Sequence, residues 1–488
     1  MWSALRDEAE TLDLLIIGGG ATGASAALEA AARGLRVAVV EAHDFAFGTS
    51  SRSTKLAHGG VRYLRRGEIK LVREALHERE HLRRMAPHLV HERRFLLPSR
   101  RLGARWFYTF GLKLYDFLAG SLRWKRADMV SRDEALSLSP NLKTAHLKGG
   151  STYSDGQFDD SRLALAFVRT AVREGALAIN HAAVTALPTE NNTIQSATVT
   201  DRLSGETLVL RPKLILNCTG PYGDRVRQMA DPTLPGIMAP SRGAHIVLPE
   251  DFLPGDHGLI LPETRDGRVL FAIPWQGRVI VGTTDVPVEE PATDPQATDE
   301  EIDYILGEAA TLLERAPTRD DIVATYAGLR PLVGATGTGN TAKLSREHAI
   351  IAGPDNMLTM AGGKWTTARR MGEDLISRAA TTLGIANNPA HTEQLTLVGG
   401  DVDAAAPSDP FGSERPAVDS LCDELPDGHE RVHPDLDLRR GEVVWMIRHE
   451  MAATPEDILH RRHRAGFLDA AASAEATQAV KQLLALHL

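Results

Sequence analysis

Two short apolar runs near the N-terminus flank an alanine-rich segment. Residues 14–17 read LLII and residues 35–40 read LRVAVV, and such runs are typical of buried strands. Between them, residues 24–33 suit a helix that packs closely on a sheet, and Gly34 can end that helix. The order strand, helix, strand predicts a βαβ unit with parallel strands.

The turn before this helix reads GGGATG and fits the spacing G-x-G-x-x-G. Gly18 permits a tight turn, Gly20 lets backbone N–H groups approach a pyrophosphate, and Gly23 lets the helix contact the strand. The helix N-terminus offers unpaired N–H donors and partial positive charge to a phosphate. Glu41, after the second strand, is placed to accept hydrogen bonds from ribose hydroxyls. The unit predicts dinucleotide binding, and the motif alone leaves open whether the ligand is NAD or FAD.

A second sheet is predicted from residues 243–284, where GAHIVL, GLILPE, RVLFAIPW and RVIVGTTD read as antiparallel strands that would cover a substrate. We therefore predict an α/β fold, α+β overall, made of a Rossmann-like dinucleotide-binding domain, an antiparallel β-sheet substrate domain and a small C-terminal helical domain. The predicted bounds are 11–86, 151–240 and 330–386 for the first domain, 87–150 and 241–329 for the substrate or cap domain, 387–440 for a Pro- and Asp-rich linker, and 441–488 for the C-terminal domain with two helices.

A helix predicted over residues 67–85 contains HEREH, which matches the zinc pattern H-E-x-x-H. We reject a zinc site because His77 and His81 lie off the apolar stripe of this helix. They stand among cationic side chains that oppose binding of Zn²⁺: Arg73, Arg79, Arg83 and Arg84. No metal site is predicted.

Length and composition indicate a globular protein of two or three domains, since the chain has 488 residues with 43% hydrophobic and 24% charged residues. No apolar run approaches the roughly 20 residues of a membrane span, and the N-terminus has no signal-peptide pattern. The two cysteines, Cys218 and Cys422, favour a reducing compartment without a disulfide framework. We expect a cytoplasmic protein.

Positive charge is concentrated in one part of this acidic chain. Residues 52–126 hold 19 Lys and Arg against 6 Asp and Glu, whereas the whole chain has a net charge of −9. Residues 93–126 add seven aromatic side chains between Trp106 and Trp124. Such a mixture can dock on anionic lipid headgroups, and it can equally be a packed subdomain with cationic edges. Nucleic acid is a weaker interpretation, because no nucleic-acid-binding pattern accompanies the charge.

Several motifs together carry a family resemblance: GGGATG, GTSSRSTKLAHGGVRYL, YSDGQFDDSRL, CTGPYGD, RGAHIV, IPWQGRVIVGTTD, YAGLRPLV and GGKWTTAR. The chain resembles the FAD-dependent, quinone-linked glycerol-3-phosphate dehydrogenases, within the D-amino acid oxidase-like flavoprotein superfamily. The resemblance implies a Rossmann-like FAD-binding domain. By resemblance, FAD would contact these residues: Gly18, Gly20, Gly23, Glu41, Thr49, Ser50, Lys55, Leu56, His58, Val184, Gly220 and Thr366.

The resemblance also implies a substrate site for glycerol 3-phosphate. Phosphate binding needs permanently charged planar groups, and we assign it to Arg62 and Arg346 with support from Tyr63. Arg330 and Lys364 would flank the reacting C2 atom. His245 is our predicted base, because its ordinary pKa lies near neutrality. The expected reaction passes the C2 hydrogen as hydride to the flavin N5 and yields dihydroxyacetone phosphate.

The expected electron acceptor is a membrane quinone, because the chain shows neither a nicotinamide site nor iron–sulfur cysteines. The protein would then sit peripherally on the inner face of the cell membrane, as a homodimer. Alternatives are a glycerol-3-phosphate oxidase that uses O2, another FAD-dependent amine or amino-acid oxidase of the superfamily, and a flavoprotein that only binds a phosphorylated ligand. Two features depart from the family pattern: Ala368 replaces a common tyrosine, and the C-terminal domain is short.

Overall fold

The structure, a computed structural model, describes residues 2–64, 67–334, 347–403 and 409–488, and the side chains of Arg62 and Tyr63 are not described. The predicted fold class is confirmed. Two large sheets, two small ones and a C-terminal group of helices are the main parts of the described chain. No described helix is both long and apolar enough to cross a bilayer.

The first sheet has six strands in the described residues. It is parallel except for its antiparallel edge strand, residues 348–352. The predicted strand Leu14–Ile17 lies inside this sheet and is buried along its whole length. The strand order is His348–Ala352, Met357–Gly362, Leu214–Asn217, Leu14–Ile17, Val37–Val40, Leu177–Ile179.

Alternation along the first strand explains how both faces of the parallel sheet are buried. Leu14 and Ile16 face a core formed with three helices, Ala21–Ala32, Asp160–Arg173 and Ala368–Leu383. Leu15 and Ile17 face the opposite core. That core includes residues of helix Gly223–Ala230 and of a three-stranded sheet, Thr207–Leu210, Ala197–Asp201 and Ala182–Ala186. Between Ala182–Ala186 and Ala197–Asp201 the chain forms a two-stranded antiparallel ribbon, in which Thr189–Glu190 pairs with Thr193–Ile194.

The second sheet has ten strands in the described ranges and is largely antiparallel. The four strands predicted over 243–284 are confirmed. The predicted domain border at 150/151 falls inside strand Gly150–Phe158, which pairs with Val90–Pro98 along its full length. The strands are Val286–Pro287, Ser241–Pro249, Arg278–Gly282, Leu270–Trp275, His257–Leu261, Val90–Pro98, Gly150–Phe158, Leu56–Ala57, Ala324–Arg330 and Asp128–Val130.

Helices cover both faces of this sheet. Helices Arg132–Leu138 and Asp299–Leu312 pack on one face. Helices Ile69–Met85 and Leu102–Ala119 pack on the other, where Tyr115 and Phe95 share a core. The short helix Val61–Leu64 lies in the sequence just before Ile69–Met85, whereas the short helix Trp2–Asp7 contributes Leu5 to a core of the parallel sheet.

The C-terminal region differs from the prediction at its start. Residues 415–424, predicted as part of a linker, form a helix whose Val418, Leu421 and Cys422 enter the C-terminal core. Pro416 does not prevent it, because proline is tolerated in the first helical turn. Instead of two helices, the described residues beyond 440 form Arg440–His449, a π-helix Asp457–Arg462, Ala465–Leu468 and Ala470–His487.

Candidate functional site

A cavity of ≈ 610 Å³ lies between the two sheets. The glycine turn, the end of the second strand and the loop after it form one side. Strands Ser241–Pro249 and Ala324–Arg330 and the start of helix Ala368–Leu383 supply the other. A crevice outside the carboxyl ends of parallel strands is where open α/β sheets bind ligands, and the volume is in the range of cofactor pockets.

The glycine turn leaves backbone exposed to this cavity. Gly18 has φ +107°, and a Cβ there would stand 2.7 Å from the Cys218 carbonyl oxygen. A Cβ on Gly23 would stand 1.8 Å from the Gly18 carbonyl oxygen, so only glycine lets the helix approach the strand this closely. Gly18 and Gly20 line the cavity, whereas Gly23 shapes the turn from behind.

Glu41 lies at the cavity wall at the end of the second strand. Its carboxylate accepts hydrogen bonds from the backbone N–H groups of Gly19 (2.7 Å) and His43 (2.9 Å). Burial raises the pKa of this carboxyl group, and the two N–H donors oppose that effect. The two donors fix the carboxylate at the cavity wall.

Residues 44–55, named here the cofactor loop, follow Glu41. Thr49 donates to the Leu329 carbonyl (2.6 Å), and the Ser50 hydroxyl accepts from the Ala21 N–H at the helix N-terminus (2.9 Å). Both residues line the cavity. The loop is therefore tied to the second sheet and to the helix that follows the glycine turn.

Lys55 differs from the prediction. Its ammonium group is fully buried and donates to Asp160 Oδ2 (2.7 Å) and to the Ser51 carbonyl (2.6 Å), and Lys55 does not line the cavity. Burial is the main reason that its pKa falls to about 7. The sequence shows a lysine beside serines, but it does not show that this lysine forms a buried ion pair with a carboxylate 105 residues later in the chain.

Five other residues predicted to contact the cofactor line the cavity. The His58 N–H donates to Thr366 Oγ1 (3.2 Å). This hydrogen bond joins the segment after strand Leu56–Ala57 to the turn that precedes helix Ala368–Leu383. The full group is Leu56, His58, Val184, Gly220 and Thr366.

The three predicted catalytic residues, His245, Arg330 and Lys364, line the same cavity. The Arg330 guanidinium donates to Thr283 Oγ1 (3.1 Å) and to the Thr284 carbonyl (3.0 Å), and it pairs with Asp285 (3.3 Å). Its position depends on a glycine, because a Cβ on Gly243 would lie 2.5 Å from Arg330 Nη2.

His245 is 2% exposed and stacks on Tyr326, with ring centroids 4.6 Å apart. Its Nε2 is 3.0 Å from Thr54 Oγ1. Burial, followed by the charges of Lys55 and Arg330, holds the pKa of His245 well below its usual value. The imidazole is therefore neutral at physiological pH, and the same shift makes it a weaker proton acceptor than an ordinary histidine, so the near-neutral pKa expected from the sequence is not found. Within the described residues, its buried Nδ1 has no hydrogen-bond partner.

The predicted phosphate-binding residues are not all described. Arg346 lies outside the described residues, and only the backbone of Arg62 and Tyr63 is described, in the short helix Val61–Leu64. Their role in phosphate binding stays a prediction.

Sequence reasoning missed Thr54, which lines the cavity and orients His245. It stands inside the motif TSSRSTKLAHGG, where only the neighbouring serines, Thr49 and Lys55 were predicted to offer polar groups.

The segment that matches the rejected zinc pattern forms a structural ion pair instead: buried Glu78 accepts two hydrogen bonds from Arg369, at 2.6 and 2.9 Å. Among the described residues, no group of three or more His, Cys, Asp or Glu could hold a metal ion.

The residues fit FAD. The backbone of the glycine turn at the cavity wall suits a pyrophosphate, the oriented Glu41 suits a ribose, and Arg330, Lys364 and His245 line the same cavity.

Comparison with known proteins agrees with this geometry. The family described as FAD dependent oxidoreductase matches residues 13–376, and the family described as C-terminal domain of alpha-glycerophosphate oxidase matches residues 402–488. The probable mitochondrial glycerol-3-phosphate dehydrogenase of Caenorhabditis elegans is 39% identical, over 98% of this chain and 71% of that protein. The mitochondrial glycerol-3-phosphate dehydrogenase of Homo sapiens is 38% identical, over 98% of this chain and 70% of that protein.

Solved structures agree as well. The glycerol-3-phosphate dehydrogenase from Bacillus halodurans complexed with FAD has a TM-score of 0.80 and 29% identity, and the match covers 99% of this chain and 92% of that chain. L-alpha-glycerophosphate oxidase from Mycoplasma pneumoniae, at 18% identity and a TM-score of 0.59 over 77% of this chain and 95% of that chain, shares the fold. The cofactor is FAD, and the chain belongs to the glycerol-3-phosphate dehydrogenase family of FAD-dependent oxidoreductases.

Proposed function

We propose that the protein oxidises sn-glycerol 3-phosphate to dihydroxyacetone phosphate and that the electrons pass to a membrane quinone. The observation that carries this proposal is the meeting of Arg330, Lys364 and His245 in the cavity that also contains the glycine turn. Relatives in worm and human, named as glycerol-3-phosphate dehydrogenases, support the substrate.

The cations of the cavity suit a phosphorylated alcohol. Arg330 and Lys364 would flank C2 and its oxygen, where their charges stabilise developing negative charge on that oxygen. The phosphate would bind Arg62 and Arg346, with Tyr63 in support. FAD, when bound, supplies the two-electron acceptor that takes the C2 hydrogen as hydride.

His245 is the proposed base for the C2 hydroxyl proton. We assign Nδ1 as the accepting atom, because Nε2 already bonds Thr54 and Nδ1 has no protein partner among the described residues. A hydrogen bond from Nε2–H to Thr54 leaves Nδ1 unprotonated. The low pKa keeps the ring in this neutral form across the physiological range.

A membrane-docking surface supports the quinone as acceptor. One face of helix Leu102–Ala119, named here the docking helix, exposes a row of large apolar side chains. The exposed fractions are 65% for Trp106, 74% for Phe110 and 77% for Phe117, and Leu102, Phe107 and Leu114 extend the row. Soluble proteins seldom expose so large an apolar patch without a partner.

Cationic side chains lie before, within and after this helix in the sequence. They are the exposed Arg100, Arg101, Lys113, Arg123, Lys125 and Arg126. An apolar helix face with basic residues around it binds the surface of an anionic bilayer. The proposal therefore places the protein peripherally on the inner, cytoplasmic face of the cell membrane, where quinone is available.

The test of this function compares electron acceptors. With glycerol 3-phosphate and a short-chain ubiquinone analogue, dihydroxyacetone phosphate should form in amounts equal to the quinol. Stoichiometric hydrogen peroxide at a comparable rate in air would instead identify an oxidase. Turnover with amines or amino acids but not with glycerol 3-phosphate would identify another oxidase of the superfamily. Sedimentation analysis would test the expected homodimer.

A further inference from the structure

Three arginines of the C-terminal region reach the cofactor loop. Arg461, Arg462 and Arg464 lie in and just after the π-helix Asp457–Arg462, and each is at most 3% exposed. They contact loop residues more than 400 positions earlier in the chain. Burial of an arginine costs folding free energy unless its charge is paired and its donors are hydrogen-bonded. The groups that bind these three side chains therefore indicate what the arginines hold in place.

The first contact is at the start of the loop. Asp44 is fully buried and accepts from Arg461 Nε (2.6 Å) and from Arg462 Nη2 (2.9 Å), and Arg462 Nη1 also donates to it. Asn180 donates to the same carboxylate (2.9 Å). Asp44 is thus held from the C-terminal region and from the parallel sheet together.

The second contact is near the end of the loop. Arg464 Nη2 donates to the Ser51 carbonyl (2.7 Å) and to Asp160 Oδ1 (3.0 Å). Lys55 donates to the same carbonyl and to the other oxygen of Asp160. The Ser51 carbonyl therefore accepts hydrogen bonds from two cations, Arg464 and Lys55, and both cations also bind the carboxylate of Asp160.

Some of the loop residues that line the cavity lie between these two contacts, whereas Arg52, Ser53 and Thr54 follow the second contact. Thr49 and Ser50 fall between Asp44 and Ser51. The backbone conformation of Arg464 also points to this contact: its φ of +76° is unusual for a residue other than glycine, and its side chain lies against the rings of Trp275 and Phe467.

We propose that Arg462 and Arg464 are positioning residues for FAD, which makes the C-terminal helical region a working part of the cofactor site. They hold the cofactor loop in the conformation that presents Thr49 and Ser50 to the cavity. The inference rests on the FAD cofactor and on no assumption about the alcohol substrate or the electron acceptor.

A matched control separates positioning from general stability. Arg162 is 3% exposed and donates to Glu450 at 2.6 and 2.9 Å, so it also joins the parallel-sheet domain to the C-terminal region. Its other side-chain contacts are with Pro410 and Phe411, outside the cofactor loop. Arg162→Met removes a buried ion pair of the same kind and contacts no loop residue; because its partner Glu450 also lies 4.0 Å from Arg462 Nε, this control is compared with Arg464→Met, whose side chain binds Ser51 and Asp160 instead.

The experiment uses the full-length holoenzyme and its variants Arg464→Met, Arg464→Lys, Arg462→Met and Arg162→Met. The rate of FAD release after dilution is followed by flavin fluorescence, and urea unfolding of the flavin-free proteins measures stability. Arg464→Met and Arg462→Met should release FAD at least about tenfold faster, the effect of losing one charged hydrogen bond. Arg464→Lys should fall between Arg464→Met and the parent protein.

Hydrogen exchange supplies a second measurement. In the flavin-free Arg464→Met protein, amides of residues 44–55 should exchange faster than in the parent, and in Arg162→Met they should not. The inference is wrong if Arg162→Met releases FAD as fast as Arg464→Met at equal loss of stability. It is also wrong if Arg464→Met keeps the parent release rate. If Arg464→Met cannot be purified, Arg464→Lys and Arg462→Met decide by the same criteria.

Discussion

The docking helix allows a quantitative prediction about membrane binding. The perturbation is the double substitution Phe110→Ser and Phe117→Ser, which removes two apolar side chains at the centre and C-terminal part of the exposed row. Both are about three-quarters exposed, at 74% and 77%, so neither contributes much to the core. The fold should be unaffected, and the change should act on the bound state.

The magnitude follows from the exposed area. Full burial of a phenylalanine side chain stabilises by roughly 1.5–3 kcal/mol. Three-quarters of each ring is available to the bilayer, so each substitution should weaken the free energy of membrane binding by about 1–2 kcal/mol. The two substitutions together should weaken it by about 2–4 kcal/mol. Since 1.4 kcal/mol is a factor of about ten, vesicle affinity should fall roughly 30- to 1000-fold.

The assay is co-sedimentation with vesicles of phosphatidylcholine and phosphatidylglycerol. The matched control is Leu203→Ser with Leu486→Ser, two exposed leucines outside the docking helix, at 55% and 73% exposure. The control should bind vesicles like the parent protein. Equal binding by the parent and the phenylalanine double variant, or an equal loss in the leucine control, would refute the assignment of this surface.

Other predictions concern the cavity and the core. His245→Ala should lower kcat at least about 100-fold with little change in KM for glycerol 3-phosphate; an unchanged kcat removes it as base. Thr54→Val should lower kcat less, and parent-like turnover would exclude the assigned tautomer. Gly23→Ala should yield protein purified without flavin, because its Cβ would stand 1.8 Å from a backbone oxygen; a parent-like flavin content contradicts this. Burial holds the pKa of His88 at about 3, so the unfolded chain takes up its proton first as pH falls below 6.5. The free energy of unfolding is therefore unaffected by this histidine above pH 6.5. Near pH 5 it should be about 2 kcal/mol lower on account of His88. Urea unfolding of the parent and of His88→Asn at both pH values tests this; equal pH dependence contradicts it.

The parallel sheet and the glycine turn could be predicted because their signals are local. A buried strand, a turn that needs glycine and a small-residue helix are adjacent in sequence, and Leu14–Ile17 appears in the structure with the predicted bounds. The strands of the second sheet were predicted for the same reason. Their connection to Gly150–Phe158 through Val90–Pro98, which pairs with both His257–Leu261 and Gly150–Phe158, was not predicted, because these segments lie far apart in the chain.

Pairing between distant charges explains the other differences. Lys55 looked like a cation for the cofactor, yet Asp160 binds it in the core. Nothing local in RRHR near the C-terminus indicates that Arg462 and Arg464 are buried against carboxylates. The helix Arg415–Glu424 was not predicted because its surroundings are rich in proline and aspartate, although its own proline lies in the first turn, where helices tolerate it. Such outcomes depend on tertiary contacts that no local pattern records.

The central claim is that the cationic end of the cavity holds a phosphorylated alcohol for oxidation. Anaerobic addition of glycerol 3-phosphate to the purified holoenzyme, with glycerol as the control that lacks phosphate, tests it most directly. Glycerol 3-phosphate should bleach the visible absorption of the oxidised flavin at micromolar to millimolar concentration, and glycerol should not. A flavin that stays oxidised with glycerol 3-phosphate, or that glycerol reduces equally well, would contradict the account.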